Sequence, residues 1–168
     1  MKITFLGAGS TVFAKNVLGD CLLADGLSQF DIALLDIDGD RLEESYALIC
    51  ALRDKYKPEV TISKYLASDE NQTKKAFENA QYIVNAIQVG GYQPCTVTDF
   101  EIPKKYGLRQ TIGDTLGIGG IFRALRTIPV LKKYADIIEE VAPNALFLNY
   151  VNPMSILSGY MQRFTKVK

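Results

Sequence analysis

The sequence predicts an α/β domain built on a doubly wound parallel sheet, and three observations carry the prediction. Short apolar runs alternate with stretches of helical periodicity along all 168 residues. The first run breaks into Gly7-Ala8-Gly9, and stretches rich in Gly, Asn and Gln follow the later runs, at the strand ends where such sheets bind ligands. Alternation of this kind calls for right-handed crossovers between parallel strands. No internal repeat or low-complexity linker divides the chain, and its length suits one domain with a full core.

Each element follows in order. Lys2-Ile3-Thr4-Phe5-Leu6 opens as a strand. Gly7 allows a tight turn at its end, and Gly9 lets a ligand approach the backbone with no Cβ in the way. The helix starting beyond Ser10 and Thr11 offers unpaired N–H groups, so a pyrophosphate would sit there. Val12 occupies the place where a third Gly or Ala usually lets helix and strand pack closely. A second run, Ile32-Ala33-Leu34-Leu35, ends in Asp36, about where such folds place an acid that accepts hydrogen bonds from the adenosine ribose. A carboxylate there favours NAD over NADP because it repels a 2′-phosphate. The alternative is that Asp36, Asp38 and Asp40 form a solvated turn, with Asp38 or Asp40 capping the next helix.

Leu42, Tyr46, Ile49, Leu52 and Tyr56 then recur at helical spacing until Pro58, and Val60-Thr61-Ile62 returns to the sheet. Asp69 to Phe77 reads as a short helix, and Tyr82 to Ile87 as a strand buried on both faces. The amphipathic stretch Ile121 to Val141, with Pro129 expected to kink it, leads into a fifth strand over Ala145 to Asn149.

Composition narrows the function. Nineteen basic and nineteen acidic side chains cancel, leaving no long-range field to recruit nucleic acid or an anionic membrane surface. No run approaches the length of a membrane span and no leader pattern precedes the first strand, so a cytoplasmic location is expected. Cys21, Cys50 and Cys95 are widely spaced and odd in number, which suits reduced, mostly buried thiols. The chain has no histidine, so a Ser-His-Asp or Cys-His device is excluded within it.

Three stretches fall just past strands or between them: Gln88-Val89-Gly90-Gly91-Tyr92, the glycine-rich Gly113 to Gly120, and Asn149-Tyr150-Val151-Asn152-Pro153-Met154. All are expected to converge on one crevice. Together with Gly7-Ala8-Gly9-Ser10 and Leu35-Asp36-Ile37-Asp38, in this order, they resemble glycoside hydrolase family 4 over essentially the whole chain. Tyr92 to Glu101 and Arg123 to Pro129 are most similar to its α-galactosidase (melibiase) branch.

The resemblance implies a reaction outside the two-carboxylate scheme of glycoside hydrolysis. Tightly held NAD takes hydride from the sugar C3, a base removes the acidified C2 proton, the C1 oxygen leaves, water adds, and the hydride returns. Mn²⁺ polarises the C2 and C3 oxygens. The resemblance implies that Gly7, Gly9, Ser10 and Thr11 cradle the pyrophosphate, Asp36 binds the adenosine ribose, and Gln88 and Gly90 line the nicotinamide half. Asn152 would bond the sugar hydroxyls, and Asn149 beside it would face cofactor or substrate. The alternative for Asn152 is to cap the helix beginning at Pro153. Asp114 would reach a sugar hydroxyl or a cofactor ribose, or else anchor its loop by bonding its own backbone.

Members acting on phosphorylated sugars carry an arginine near the double glycine. Here that neighbourhood reads Tyr92-Gln93-Pro94, so an unphosphorylated α-galactoside is expected. Arg123 and Arg126 are expected in structural ion pairs, the alternative being that they meet a phosphate, and Gly113 stands where a small aliphatic residue is usual. The family's metal-binding cysteine and histidine and its tyrosine base fall past the position of Lys168. Residues 1–168 are therefore expected to form the NAD-binding domain, with no catalytic or metal-ligating residue of their own, and to hydrolyse nothing alone. A homo-oligomer is expected at full length. Two other readings share the fold, an NAD-dependent dehydrogenase of malate or lactate type and a non-catalytic NAD-sensing module.

Overall fold

Five parallel strands form one sheet in the computed structural model, which describes residues 1–168. They are β1 (Lys2–Leu6), β2 (Asp31–Asp36), β3 (Thr61–Leu66), β4 (Tyr82–Asn85) and β5 (Leu146–Asn149), arranged β3-β2-β1-β4-β5. Helices α1 (Thr11–Leu23), α2 (Gly39–Tyr56), α3 (Glu70–Phe77), α5 (Gly117–Val141) and α6 (Met154–Phe164) fill the connections and the end of the chain. After β4, an irregular segment over Gly91–Thr96, with Gln93 in extended backbone (φ −107°, ψ 135°), runs into α4 (Val97–Lys104). The strand order reverses between β1 and β4, and ligands bind at such a switch point.

Period-two alternation sorts the apolar residues onto the two faces. Phe5 and Leu34 join Ala14, Leu18 and Ile49 beneath α1 and α2. Their neighbours Leu6 and Leu35 turn the other way to meet Phe77, Ile83 and Ile138 beneath α3 and α5. A smaller cluster of Ala124, Leu131, Leu157 and Met161 seals α6 onto α5. Burying one such large side chain stabilises the fold by roughly 1.5–3 kcal/mol. Asp38 caps α2 by accepting from the Asp40 and Arg41 N–H groups, and Asp69 caps α3 through Asn71 and Gln72, each satisfying donors that helix starts leave open.

Several boundaries depart from the sequence expectation for identifiable reasons. β3 runs on to Leu66 because its ladder with β2 continues as far as Asp36. The polar Ser63 and Lys64 conceal that extension, Lys64 pairing with Glu43 and lying over the Tyr46 ring. β4 ends at Asn85, two residues short of Ile87, and its first residue Tyr82 is exposed, so it is not buried on both faces throughout. The helix expected from Ile121 starts at Gly117 and runs on through Pro129. Its opening glycines are packing residues: a Cβ on Gly119 would lie 2.6 Å from the Gly113 carbonyl oxygen, and one on Gly120 would lie 2.9 Å from Thr115. Val12 is 71% exposed while Ala14 and Leu18 make the helix–sheet contact, so no third small residue is needed at Val12. The three cysteines are free but half-buried rather than mostly buried.

Candidate functional site

A cleft of about 440 Å³ opens at the switch point. Gly7, Gly9, Ser10 and Asp36 line one part of it, and Gln88, Gly90 and Gly91 another. Gly7 adopts φ +91°, and a Cβ there would lie 2.6 Å from the Ala86 carbonyl carbon, so the turn presses directly on the chain leaving β4. Gly7 and Ala8 N–H both donate to the Leu35 carbonyl, at 2.8 and 3.1 Å. The Asp36 carboxylate accepts from Gly9 N–H at 2.6 Å through Oδ2 and from Asp38 N–H at 2.9 Å through Oδ1. A Cβ on Gly9 would sit 2.9 Å from that same Oδ2. Gly9 therefore does more than open space for a ligand, because it lets the acid of β2 fasten the turn of β1. Each carboxylate oxygen keeps further acceptor capacity for a hydroxyl.

Ser10 stands at the start of α1 and makes no capping bond, and the first turn carries no acidic side chain. The positive end of that helix is left for an anion. Thr11 differs from the expectation. Its hydroxyl pairs with Ser45 Oγ at 3.0 Å, and Ser45 donates to the Ala8 carbonyl at 2.7 Å. Its side chain braces the loop from behind, leaving its backbone N–H as the group a phosphate could use. Sequence reasoning missed two further wall residues, Arg41 and Tyr134. Arg41 was accessible to it as the third residue past the Asp38 cap, whereas the face that α5 turns to the sheet carries no local signal. Burial, and after it the Asp36 charge, pushes the Tyr134 phenol up, so it stays protonated.

A second cleft of about 430 Å³ adjoins the first and shares Gln88 with it. Asp114 and Arg123 lie in its wall. Asp114 accepts from Thr115 Oγ1 at 3.1 Å and from Asn152 Nδ2 at 3.3 Å, with the Arg123 guanidinium 3.8 Å away. Arg123 Nε also donates to the Asn152 carbonyl at 3.0 Å. Asp114 thus bonds side chains rather than its own backbone. Asn152 does not cap α6, whose first turn begins after Pro153 with no side-chain cap. Asn149 is turned inward instead. Its Oδ1 accepts from Asn85 Nδ2 at 3.0 Å and Val151 N–H at 3.2 Å, and its Nδ2 donates to the Val151 carbonyl and Ser158 Oγ. Asp114 and Asn152 are brought together, and Asn149 is held apart, locking the ends of β4 and β5. Gly113 is explained by Phe100, whose ring lies 2.6 Å from where its Cβ would be.

Arg126 forms the expected ion pair, with a partner that the sequence did not identify. Its Nη2 and Nη1 donate to the two Asp99 oxygens at 2.7 and 3.2 Å, and its Nε donates to the Val89 carbonyl at 3.1 Å. The Asp99 hydrogen bond raises the guanidinium pKa. No three His, Cys, Asp or Glu side chains come together as metal donors, so these residues by themselves do not fit a Mn²⁺ site. No helix is long and apolar enough to cross a membrane.

Comparison with known proteins places this geometry in context. The model of the family described as "Family 4 glycosyl hydrolase" matches residues 2–168. Over 167 residues the chain is 61% identical to an α-galactosidase of Bacillus subtilis (strain 168), covering 99% of this chain and 38% of the relative. It is 36% identical to an α-galactosidase of Rhizobium meliloti (strain 1021), covering 99% and 33%. The chain thus spans about a third of the length of these relatives. Among solved structures, it aligns with a 6-phospho-α-glucosidase from gut microorganisms in complex with NAD and glucose-6-phosphate, at TM-score 0.82 and 28% identity over 99% of this chain and 37% of that one. A 6-phospho-α-glucosidase in complex with NAD and Mn²⁺ gives TM-score 0.82 and 25% identity over 96% and 35%. A lactate dehydrogenase from Eimeria maxima with NADH and oxamate, at TM-score 0.63 and 15% identity over 99% and 40%, shares the fold alone.

Proposed function

The chain belongs to family 4 of the glycosyl hydrolases, and we propose that its 168 residues are the NAD-binding domain of an NAD- and Mn²⁺-dependent α-galactosidase. The observation that carries this is the meeting of Gly7, Gly9 and Asp36 in a cleft that also reaches Gln88 and Gly90. Asp36, already anchored by two N–H groups, would accept from the adenosine ribose and repel a 2′-phosphate, favouring NAD over NADP. The open start of α1, with Ser10 and the Thr11 N–H, would hold the pyrophosphate. When bound, NAD would supply a hydride acceptor for the sugar C3 and give the same hydride back after water has added at C1, so that C3 oxidation would acidify the C2 proton for elimination of the C1 oxygen with no net redox change.

Within this chain the residues bind and orient. The Asn152 amide both donates and accepts, which suits vicinal sugar hydroxyls, and Arg123 steadies it through its carbonyl. Asp114, which lies in the wall of the second cleft and accepts from Asn152 Nδ2, would offer the sugar a second acceptor. Neither the C2 base nor the metal donors come from these residues, which include no histidine and no three-donor cluster. An unphosphorylated α-galactoside suits the site because the guanidinium behind Gly90 is committed to Asp99 and Val89, leaving no free arginine beside the double glycine. A cytoplasmic setting belongs to the same proposal and accords with three unpaired cysteines.

The test uses the full-length protein. Cleavage of nitrophenyl-α-galactoside should require added NAD⁺ and Mn²⁺, and solvent deuterium should appear at C2 of the product. Cleavage without deuterium at C2 would overturn elimination. Net consumption of NAD⁺ by substrate would instead support a dehydrogenase.

A further inference from the structure

We propose that the Asp99–Arg126 pair is a positioning device that aims the Gly90 N–H at the nicotinamide half of the cofactor; this rests on the cleft being an NAD site. The two residues lie 27 positions apart on α4 and α5. Asp99 is only 3% exposed, and a buried carboxylate is costly unless fully partnered. Arg126 partners it with the planar two-bond geometry only a guanidinium offers.

A pair serving stability alone would be complete at that point, but this one reaches further. The remaining Nε–H donates to the Val89 carbonyl. The Val89–Gly90 peptide is trans, and in a trans peptide the carbonyl and the following N–H point in opposite directions. Fixing the Val89 oxygen on Arg126 therefore turns the Gly90 N–H away from Arg126. That N–H makes no hydrogen bond within the protein, and Gly90 lines the cleft. It is thus a preset donor for a carbonyl oxygen such as that of a carboxamide.

Two further contacts make the setting rigid. Gly90 has φ +88°, and a Cβ on it would fall 2.5 Å from Cys95 Sγ and 2.9 Å from Arg126 Nε. The loop thus lies flush on the guanidinium, as only glycine permits. The Asp99 carbonyl accepts from Gln110 Nε2 at 3.0 Å, and Gln110 Oε1 accepts from the Gly119 N–H at 2.9 Å. This ties α4 to the first turn of α5, so the brace is referred to the long helix rather than to a free loop.

The decisive measurement compares two probes on the full-length protein: NADH, followed by its own fluorescence, and ADP-ribose, which lacks nicotinamide. In Arg126→Met and Asp99→Asn, NADH affinity should fall about tenfold, the worth of one lost hydrogen bond, while ADP-ribose affinity changes less than twofold. Arg126→Lys, which keeps the charge but not the fork, should recover part of the loss. Equal weakening of both probes, or of neither, in folded variants would overturn the proposal. Should Arg126→Met not fold, Asp99→Asn and Arg126→Lys carry the same comparison. A parent protein that binds neither probe would sink the NAD reading itself, whereas one that binds both with unchanged variants would sink only the brace.

Discussion

The Gly7–Asp36 part of the cleft and the loops beyond the strand ends next to it are built by different means. At the end lined by Gly7 and Asp36, these two residues with Gly9 and Asp38 lie within two adjacent turns and are joined by backbone N–H groups to one carboxylate and one carbonyl. Beyond Gln88, the loops are held by side chains from remote elements: Asp99 with Arg126, Asp114 with Asn152, and Asn85 with Asn149, the last pair 64 residues apart. The first end is a local device and the second a tertiary one. Damage at the first should therefore strike fold and cofactor together, and damage at the second should separate them.

The largest expected effect is at Gly7. Gly7→Val forces a side chain into the Ala86 backbone at positive φ and should destabilise the fold by more than about 3 kcal/mol in urea denaturation, with NADH binding lost. A stable, binding-competent variant would break the comparison. Next comes Asp36→Ala, which strands the Gly9 and Asp38 N–H groups. A stability loss of about 1–3 kcal/mol and an NADH affinity roughly a hundredfold lower are expected, measured by denaturation and fluorescence titration.

Among the remote contacts, Asn152→Ala should raise the KM for an α-galactoside about tenfold and leave NADH affinity within twofold, since Asn152 does not line the cleft between Gly7 and Gly90. An equal loss of NADH affinity would show that the two clefts are not separable. The smallest effect lies away from both. The Asp69 cap is held below the usual carboxylate range, chiefly by the Gln72 N–H. With its folded pKa depressed, its contribution to α3 is present above the unfolded value and is lost as pH falls through the folded one, below about pH 4. Acid titration of Asp69→Asn against the parent should show the parent's small advantage vanishing in that window, with NADH binding at neutral pH the same in both.

The same division decides what the sequence could reveal. The strand, turn and acid of the Gly7–Asp36 end were legible because each depends on neighbours in the chain: an apolar run, two glycines, and Asp36 closing the next run. The cap at Asp38 was visible for the same reason. By contrast, nothing near Asn149 announces that Asn85 and Ser158 would draw it inward, and nothing near Arg126 singles out Asp99. Gly113 looked like a departure until Phe100 was seen to fill its space. The glycines opening α5 read as loop because helical propensity disfavours them, whereas close approach to Gly113 and Thr115 decides the matter. β3 was underestimated because its tail is polar, although its backbone ladder is complete.

The double anchorage of Asp36 has a consequence for how this protein can change. In many dinucleotide sites the acid is a detachable selector, exchanged for a smaller or basic residue when a phosphorylated coenzyme is wanted. Here the proposed selector is also the latch, so that exchange would unfasten the glycine turn in the same stroke. If the cleft holds NAD as proposed, switching coenzyme would demand a new latch at the moment the old one was surrendered, a double step harder than relieving electrostatic repulsion alone.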